Sequence, residues 1–164
     1  MFDGSIQTFE RIMRPDTTQV IATVGNKILV QRQQQPDSNE FISFPGGRSD
    51  EGELPLDAAK RELLEESGYV SDDWELWKKD CPVNKMEWTI YTYIARNCKK
   101  IQEPHLDAGE MITDSLISFE DFLLLADDPL YCDLELVNEM LRARLHPEHL
   151  SYMRAKIFPP QQSS

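Results

Sequence analysis

Positive charge is in short supply along this chain: 17 lysines and arginines face 29 aspartates and glutamates, a formal net charge of −12. Surfaces that track a nucleic-acid backbone are basic, which argues against nucleic acid as the main partner. An anionic substrate would need cations to mediate. Cysteine is scarce too. Cys81, Cys98 and Cys132 are odd in number, widely spaced and outside any C-x-x-C pattern, so neither a disulfide framework nor a zinc cage is suggested. They read as packing residues in a reducing, cytoplasmic setting. No apolar run approaches the length that crosses a bilayer, and the opening Met-Phe-Asp-Gly-Ser-Ile-Gln has neither the basic nor the apolar region of an export signal. There is no internal repeat and no sign of a second domain.

What is present fits one enzyme-sized core. At 164 residues, with 40% hydrophobic and 28% charged side chains, the chain is long enough to bury most of the surface its unfolded form exposes. We expect a single domain over residues 1–158 and a disordered tail over 159–164, where Pro-Pro-Gln-Gln-Ser-Ser closes the sequence. Gln19 to Val24 and Lys27 to Arg32, joined by Gly25-Asn26, predict a β-hairpin. Glu40 to Phe44 predicts a third strand, broken by Pro45-Gly46-Gly47. A helix is predicted from Pro55 to Ser67, with proline at the first position, Asp57 at the positive end and Gly68 beyond the last turn. Leu56, Ala59 and Leu63 form its apolar side.

Strands are predicted over Asp73–Lys79 and Met86–Ala95 as a long antiparallel pair, and over Met111–Ile117. Ser118 opens a helix to about Ala126. A further helix over Asp133–Leu145 carries Leu134, Val137, Leu141 and Leu145 in register. Strands interleaved with few helices imply an α+β fold, an α/β/α sandwich with a mixed sheet between helical layers.

The densest signal is Arg61-Glu-Leu-Leu-Glu-Glu66. On a helix, Glu62, Glu65 and Glu66 share an arc of roughly 100°, and like charges that close repel by tenths of a kcal/mol per pair when exposed and by more when half buried. A divalent cation would offset this. Carboxylate oxygens are hard ligands of the kind magnesium or manganese takes, and such ions can bridge diphosphate oxygens and lower the pKa of a bound water. The glycines ahead of the helix allow close backbone approach at Gly47.

From Gly47 to Tyr69 the sequence reads GRSDEGELPLDAAKRELLEESGY, the pattern G-x5-E-x7-R-E-U-x-E-E-x-G-U, with U a bulky aliphatic residue. This resembles the signature of the Nudix hydrolases; only Tyr69 departs, at a packing position. The resemblance implies the Nudix fold and pyrophosphohydrolase activity with Mg2+, or Mn2+ as a substitute. It implies metal ligands at Glu62, Glu65 and Glu66, with the Gly46 carbonyl as a further donor. It implies a brace between Arg61 and Glu53, the arginine leaving the metal face.

Substrate specificity is read outside this motif. The segment Leu106-Asp107-Ala108-Gly109-Glu110-Met111-Ile112 resembles the part of ADP-ribose and nucleotide-sugar pyrophosphatases that supplies an extra carboxylate. That implies Glu110 as general base or metal ligand, with Glu103, Asp107 and Asp114 as weaker candidates. Arg32 is a candidate for phosphate contact, since arginine suits bidentate recognition. Trp88, Tyr91 and Tyr93 fit a core better than base stacking. His146 and His149 have no supporting ligand pattern and read as surface residues. The leading expectation is hydrolysis of ADP-ribose or a nucleotide sugar to a nucleoside monophosphate and a sugar phosphate. The alternatives are a house-cleaning nucleoside triphosphate pyrophosphohydrolase and a non-catalytic nucleotide-binding module. Relatives that cleave ADP-ribose are often dimers, so a homodimer is a further expectation.

Overall fold

The computed structural model describes residues 4, 6, 8–35, 38–106 and 109–160. In chain order the strands are β1 (Ile12–Met13), β2 (Thr17–Val24), β3 (Lys27–Gln34) and β4 (Phe41–Ser43), followed by helix α1 (Pro55–Ser67). Next come β5 (Tyr69–Val70), β6 (Asp73–Asp80), β7 (Met86–Glu87), β8 (Ile90–Arg96), β9 (Lys99–Lys100) and β10 (Met111–Ile117). The helices α2 (Phe119–Leu124), α3 (Leu134–Leu145) and α4 (Pro147–Ile157) complete the chain, with a 3-10 turn at Leu125–Asp127. The expected tail residues 161–164 lie outside the described residues.

A six-stranded sheet runs β10-β3-β2-β8-β6, and β4 pairs with β3. It is mixed, because β2 and β8 run parallel while β6 and β10 lie antiparallel to their neighbours. The hairpin is tight only at its turn, where Thr23 and Val24 face Ile28 and Lys27. Beyond it β4 takes the place of β2 beside β3, facing Gln31 to Gln33. The two strands therefore splay, and the gap opens toward the loop at Pro45-Gly46-Gly47.

Alternation along β2 and β3 sends neighbouring side chains to opposite faces. Val20, Ala22 and Leu29 pack with Tyr93, Ala95 and Cys98 under Ala59 and Leu63 of α1. Ile21, Ile28, Val30 and Ile94 pack on the other face with Phe122, Leu136, Met140, Met153 and Ile157 from α2, α3 and α4. The expected α/β/α sandwich is what forms. Burial of one such leucine is worth roughly 2 kcal/mol, so α1 is held in place chiefly by Leu63 and its neighbours. Its ends match the sequence: Pro55 starts it, and Gly68, at φ 74°, closes it with an N–H to the Leu64 carbonyl. A Cβ on Gly68 would stand 1.9 Å from the Gln102 carbonyl oxygen.

Three expectations need correction. The strand from Met86 is interrupted: β7 pairs with β1, and only β8 joins β6. The interruption has a side-chain cause, since Asp16 Oδ1 accepts the Thr89 N–H at 2.8 Å and Thr17 Oγ1 accepts the Trp88 indole N–H at 2.8 Å. Helix α3 packs through Leu136, Met140 and Ala143, with Val137 beside them, while Leu134 and Leu145 are 69% and 75% exposed. Cys98 is buried, but Cys81 and Cys132 are exposed free thiols that do not serve the core. Helix α4 was not anticipated, although Met153 and Ile157 mark its buried side.

Candidate functional site

The turn at Gly46-Gly47 fits between β2 and α1 because neither residue has a side chain: Gly46 lies against β2 and Gly47 against Glu62 of α1. A Cβ on Gly46 would lie 2.1 Å from the Thr18 carbonyl oxygen, and one on Gly47 would lie 2.4 Å from Glu62 Oε1. A side chain at Gly46 would drive the loop away from the β2 backbone, and one at Gly47 would displace the Glu62 carboxylate. The Gly46 N–H donates to Glu66 Oε2 at 2.9 Å, tying loop and helix together at the carboxylate furthest inside.

Arg61 organises the remaining carboxylates. Its Nε and Nη2 donate to the two oxygens of Glu53 at 3.0 Å each, a bidentate pair. Nη2 also donates to the Arg48 carbonyl at 3.1 Å. The expected brace between Arg61 and Glu53 is thus in place geometrically. The same guanidinium also reaches inward, with Nη1 at 2.9 Å from Glu62 Oε1 and 3.1 Å from Glu65 Oε2. It stays on the acidic face, contrary to the expectation that it leaves it. One cation here serves three carboxylates.

Glu66 has no cation beside it among the described residues. Burial pushes its pKa up to about 8; the Gly46 N–H opposes this, and Glu62, Glu110 and Asp114 add to it. Glu62 is also raised, first by burial, with Arg61 pulling the other way. Glu53 is held below its ordinary range by its hydrogen bond from Arg61.

Glu62, Glu65, Glu66, Gly46, Gly47 and Arg61 line an open cleft of about 880 Å3, joined by Glu110 from the start of β10. The segment before β10 is laid over the C-terminal end of α1 by backbone bonds, Ile101 N–H to the Gly68 carbonyl and His105 N–H to the Glu65 carbonyl, at 2.9 and 2.7 Å. That brings Glu110 to the helix from far along the sequence. Glu103 points elsewhere, paired with Lys100 and 88% exposed. Asp107 lies outside the described residues. Asp114 is half buried and accepts from Gln31 Nε2 at 3.1 Å.

Arg32 is not brought to the cleft; it sits exposed on β3, 2.9 Å from Glu40. The arginines that line the cleft besides Arg61 are Arg14 and Arg48. Arg14 is set by stacking on the Trp88 ring, 4.4 Å from its centroid, a relation that no local spacing announces. Tyr93 is buried as expected and Tyr91 half buried, while Trp88 lines a cavity. His146 is exposed, and His149 is partly covered beside Glu139 at 2.9 Å.

Among the described residues no three acidic, cysteine or histidine side chains already stand in a metal-holding cluster. Arg61 Nη1 engages one oxygen each of Glu62 and Glu65, and the Gly46 N–H one oxygen of Glu66. The donor chemistry nevertheless suits a hard divalent cation, since every candidate donor is an oxygen. Among the described residues the buried Glu66 has no cation to offset its charge when ionised.

A mixed-sheet sandwich whose glycine turn delivers one acidic helix to an open cleft is a defined class of architecture. The model of the NUDIX domain matches residues 13–133, and the chain belongs to the NUDIX family. It is 44% identical to the 8-oxo-dGTP diphosphatase of Haemophilus influenzae (strain ATCC 51907 / DSM 11121 / KW20 / Rd) over 34% of this chain and 40% of that one. It is 24% identical to the ADP-ribose pyrophosphatase of Bacillus subtilis (strain 168) over 76% of this chain and 70% of that one. The chain thus spans less than half the length of the first of these relatives. The fold resembles that of an ADP compounds hydrolase, with a TM-score of 0.69 at 20% identity, covering 89% of this chain and 82% of the other. Hydrolases of this family generally use divalent metal ions and act on small nucleotide-type substrates. No helix among the described residues is long and apolar enough to cross a membrane.

Proposed function

We propose that this chain is a Mg2+-dependent pyrophosphohydrolase that cuts the diphosphate bond of a nucleoside diphosphate joined to a second group, with ADP-ribose or a nucleotide sugar as substrate. The observation that carries this reading is the convergence of Glu62, Glu65, Glu66 and Glu110, from two distant segments, on one cleft beside a glycine turn. Glu62, Glu65 and Glu66, with the Gly46 carbonyl, would hold the ion, with Mn2+ as a substitute. Bound there, it would neutralise charge on the diphosphate and make a water more acidic.

The chain's own residues do the rest. Glu110 takes a proton from the attacking water, whose oxygen bonds to one phosphorus as the bridging P–O bond breaks; each product leaves with one phosphate. Arg14 and Arg48 at the cleft wall are placed for phosphate oxygens, and Gly47 lets the backbone approach them. Arg61, clamped by Glu53, positions Glu62 and Glu65. The proposed domain is residues 1–158, and the free thiols of Cys81, Cys98 and Cys132 support a cytoplasmic setting.

The relative named for ADP-ribose aligns over more of this chain than the one named for 8-oxo-dGTP, which supports the nucleoside-diphosphate substrate. The triphosphate reading is favoured by the higher identity of the shorter match. Incubation with ADP-ribose, nucleotide sugars and nucleoside triphosphates in Mg2+, with products separated by chromatography, tests both. Nucleoside monophosphate plus sugar phosphate is expected; pyrophosphate release would move the assignment to the triphosphates.

A further inference from the structure

Glu110 stands at the entry to β10, an outer strand of the sheet. On its C-terminal side the backbone is fixed by the β10 ladder, where Met111 faces Gln34 of β3. On its other side no packed core reaches it. The apolar cluster under α1 draws on β2, β3 and β8 and takes no residue of β10 among those described, and Met111 is 61% exposed. The Glu110 carboxylate meets Gln35 Nε2 at 3.4 Å, a long contact. Segments with few buried contacts and exposed backbone bonds open locally at small cost. Holding Glu110 against the carboxylates of α1 takes a further tie.

That tie is a strap over residues 99–106. It starts where β9 pairs with β5 directly after α1, Lys100 facing Tyr69 and Lys99 facing Val70. The Ile101 N–H then donates to the Gly68 carbonyl at 2.9 Å, and the His105 N–H to the Glu65 carbonyl at 2.7 Å. The Glu65 carbonyl belongs to the last turn of the helix, whose carbonyls lack partners within it, so the strap satisfies a group that α1 leaves open. Between these two bonds the Gln102 carbonyl passes over Gly68, where a Cβ would stand 1.9 Å from its oxygen. That neighbour is backbone and cannot swing aside. Residues 99–105 are all exposed, so backbone groups hold the strap and side-chain burial does not.

We propose that this strap positions Glu110, with Gly68 and the His105 backbone N–H as its positioning residues. Helix α1 thereby carries its own carboxylates and also the mount for the carboxylate that faces them. The proposal rests on the reading of Glu110 as the group that takes a proton from the attacking water, and it adds residues that touch neither substrate nor ion. Glu65 has two duties in this arrangement: its carboxylate faces the cleft and its carbonyl holds the strap. His105 lies five positions before Glu110, so release of its N–H frees the chain that leads into that residue. A misplacement of about 1 Å is enough to cost roughly 10²-fold in rate.

The test compares two substitutions at one position of the full chain. His105→Pro deletes the N–H, whereas His105→Ala removes the imidazole, keeps the N–H and serves as the reference. Relative to that reference, His105→Pro is expected to lower kcat by about tenfold to a hundredfold, with KM and Mn2+ affinity unchanged, and to cost nothing further in a Glu110→Gln background. Gly68→Ala should show the same selective loss. A reading free of turnover is paramagnetic broadening: Mn2+ should broaden the amide signals of both Glu66 and Glu110 in wild type, and His105→Pro should weaken the effect at Glu110 alone. Equal kcat in the two variants at 105, a joint loss of kcat and Mn2+ affinity, or no broadening of Glu110 in wild type would overturn the proposal; the last arm needs no variant to fold. Broadening that follows the strap in a protein that hydrolyses no diphosphate would sink the proposed function and keep the strap. Hydrolysis with equal kcat in the two variants would do the reverse.

Discussion

Two acidic clusters in this molecule differ in how their charge is met. At the sheet edge, Arg96 is 9% exposed, donates to Asp73 at 3.1 Å and to Glu75, and Glu75 also pairs with Lys156 of α4. Arg96 Nε further donates to the Lys156 carbonyl at 2.9 Å. Two carboxylates meet two cations, and the cluster fastens α4 to β6 and β8. At α1, Glu62, Glu65 and Glu53 from the preceding loop share Arg61, and Glu66 has no cation beside it among the described residues. Balanced charge is a structural joint. The set at α1 is unbalanced whenever Glu66 is ionised, and the raised Glu66 pKa of about 8 shows that a proton relieves it in the protein alone; a cation bound there would do the same.

The largest expected effect separates the two clusters by activity. Glu66→Gln should lower diphosphate hydrolysis by roughly 10²–10³-fold, the scale of removing one transition-state charge partner, while leaving the melting temperature unchanged or raised because a desolvated charge is removed. Steady-state rates and calorimetric melting on the same preparation decide it. Arg96→Met should do the opposite, costing about 3 kcal/mol of stability, as for breaking a buried pair, with kcat unaltered. A loss of kcat at constant fold would erase the distinction between the clusters.

Glu110→Gln should cut turnover by roughly 10²-fold, within the range for a general base, with substrate affinity nearly intact. An unchanged rate removes it from the mechanism. Smaller effects come from pH. The hydrogen bonds from Lys156 and Arg96 hold Glu75 below its ordinary 4.5. A depressed folded-state value means that its stabilising contribution is present above about that pH and fades as pH falls through the lower folded value. Acid titration of wild type should therefore show a stability loss that Glu75→Gln lacks; parallel curves would show the joint is not electrostatic.

The α1 site was legible to the extent that it is local. Glycine, proline and carboxylate spacing place the helix because caps, turns and i,i+4 neighbours act within a few residues, while the brace between Arg61 and Glu53 followed from the family resemblance. What spacing could not show is the inward reach of Arg61, since one guanidinium chooses among three carboxylates by geometry. The stacking of Arg14 on Trp88 was not legible for a related reason: it depends on the break between β7 and β8 that Asp16, just before β2, imposes. In α3 the leucines at 134, 141 and 145 suggested a stripe, yet the sheet accepts Leu136, Met140 and Ala143. Periodicity identifies a helix there, while packing decides which side faces in.

The most direct test of the unbalanced cluster is a titration of Mn2+ into the protein, following free ion by electron paramagnetic resonance. Wild type should take up Mn2+ with a saturable isotherm, Glu66→Gln should bind it at least tenfold more weakly, and Glu75→Gln should match wild type. Uptake that is identical in all three proteins, or absent from wild type, would contradict the account.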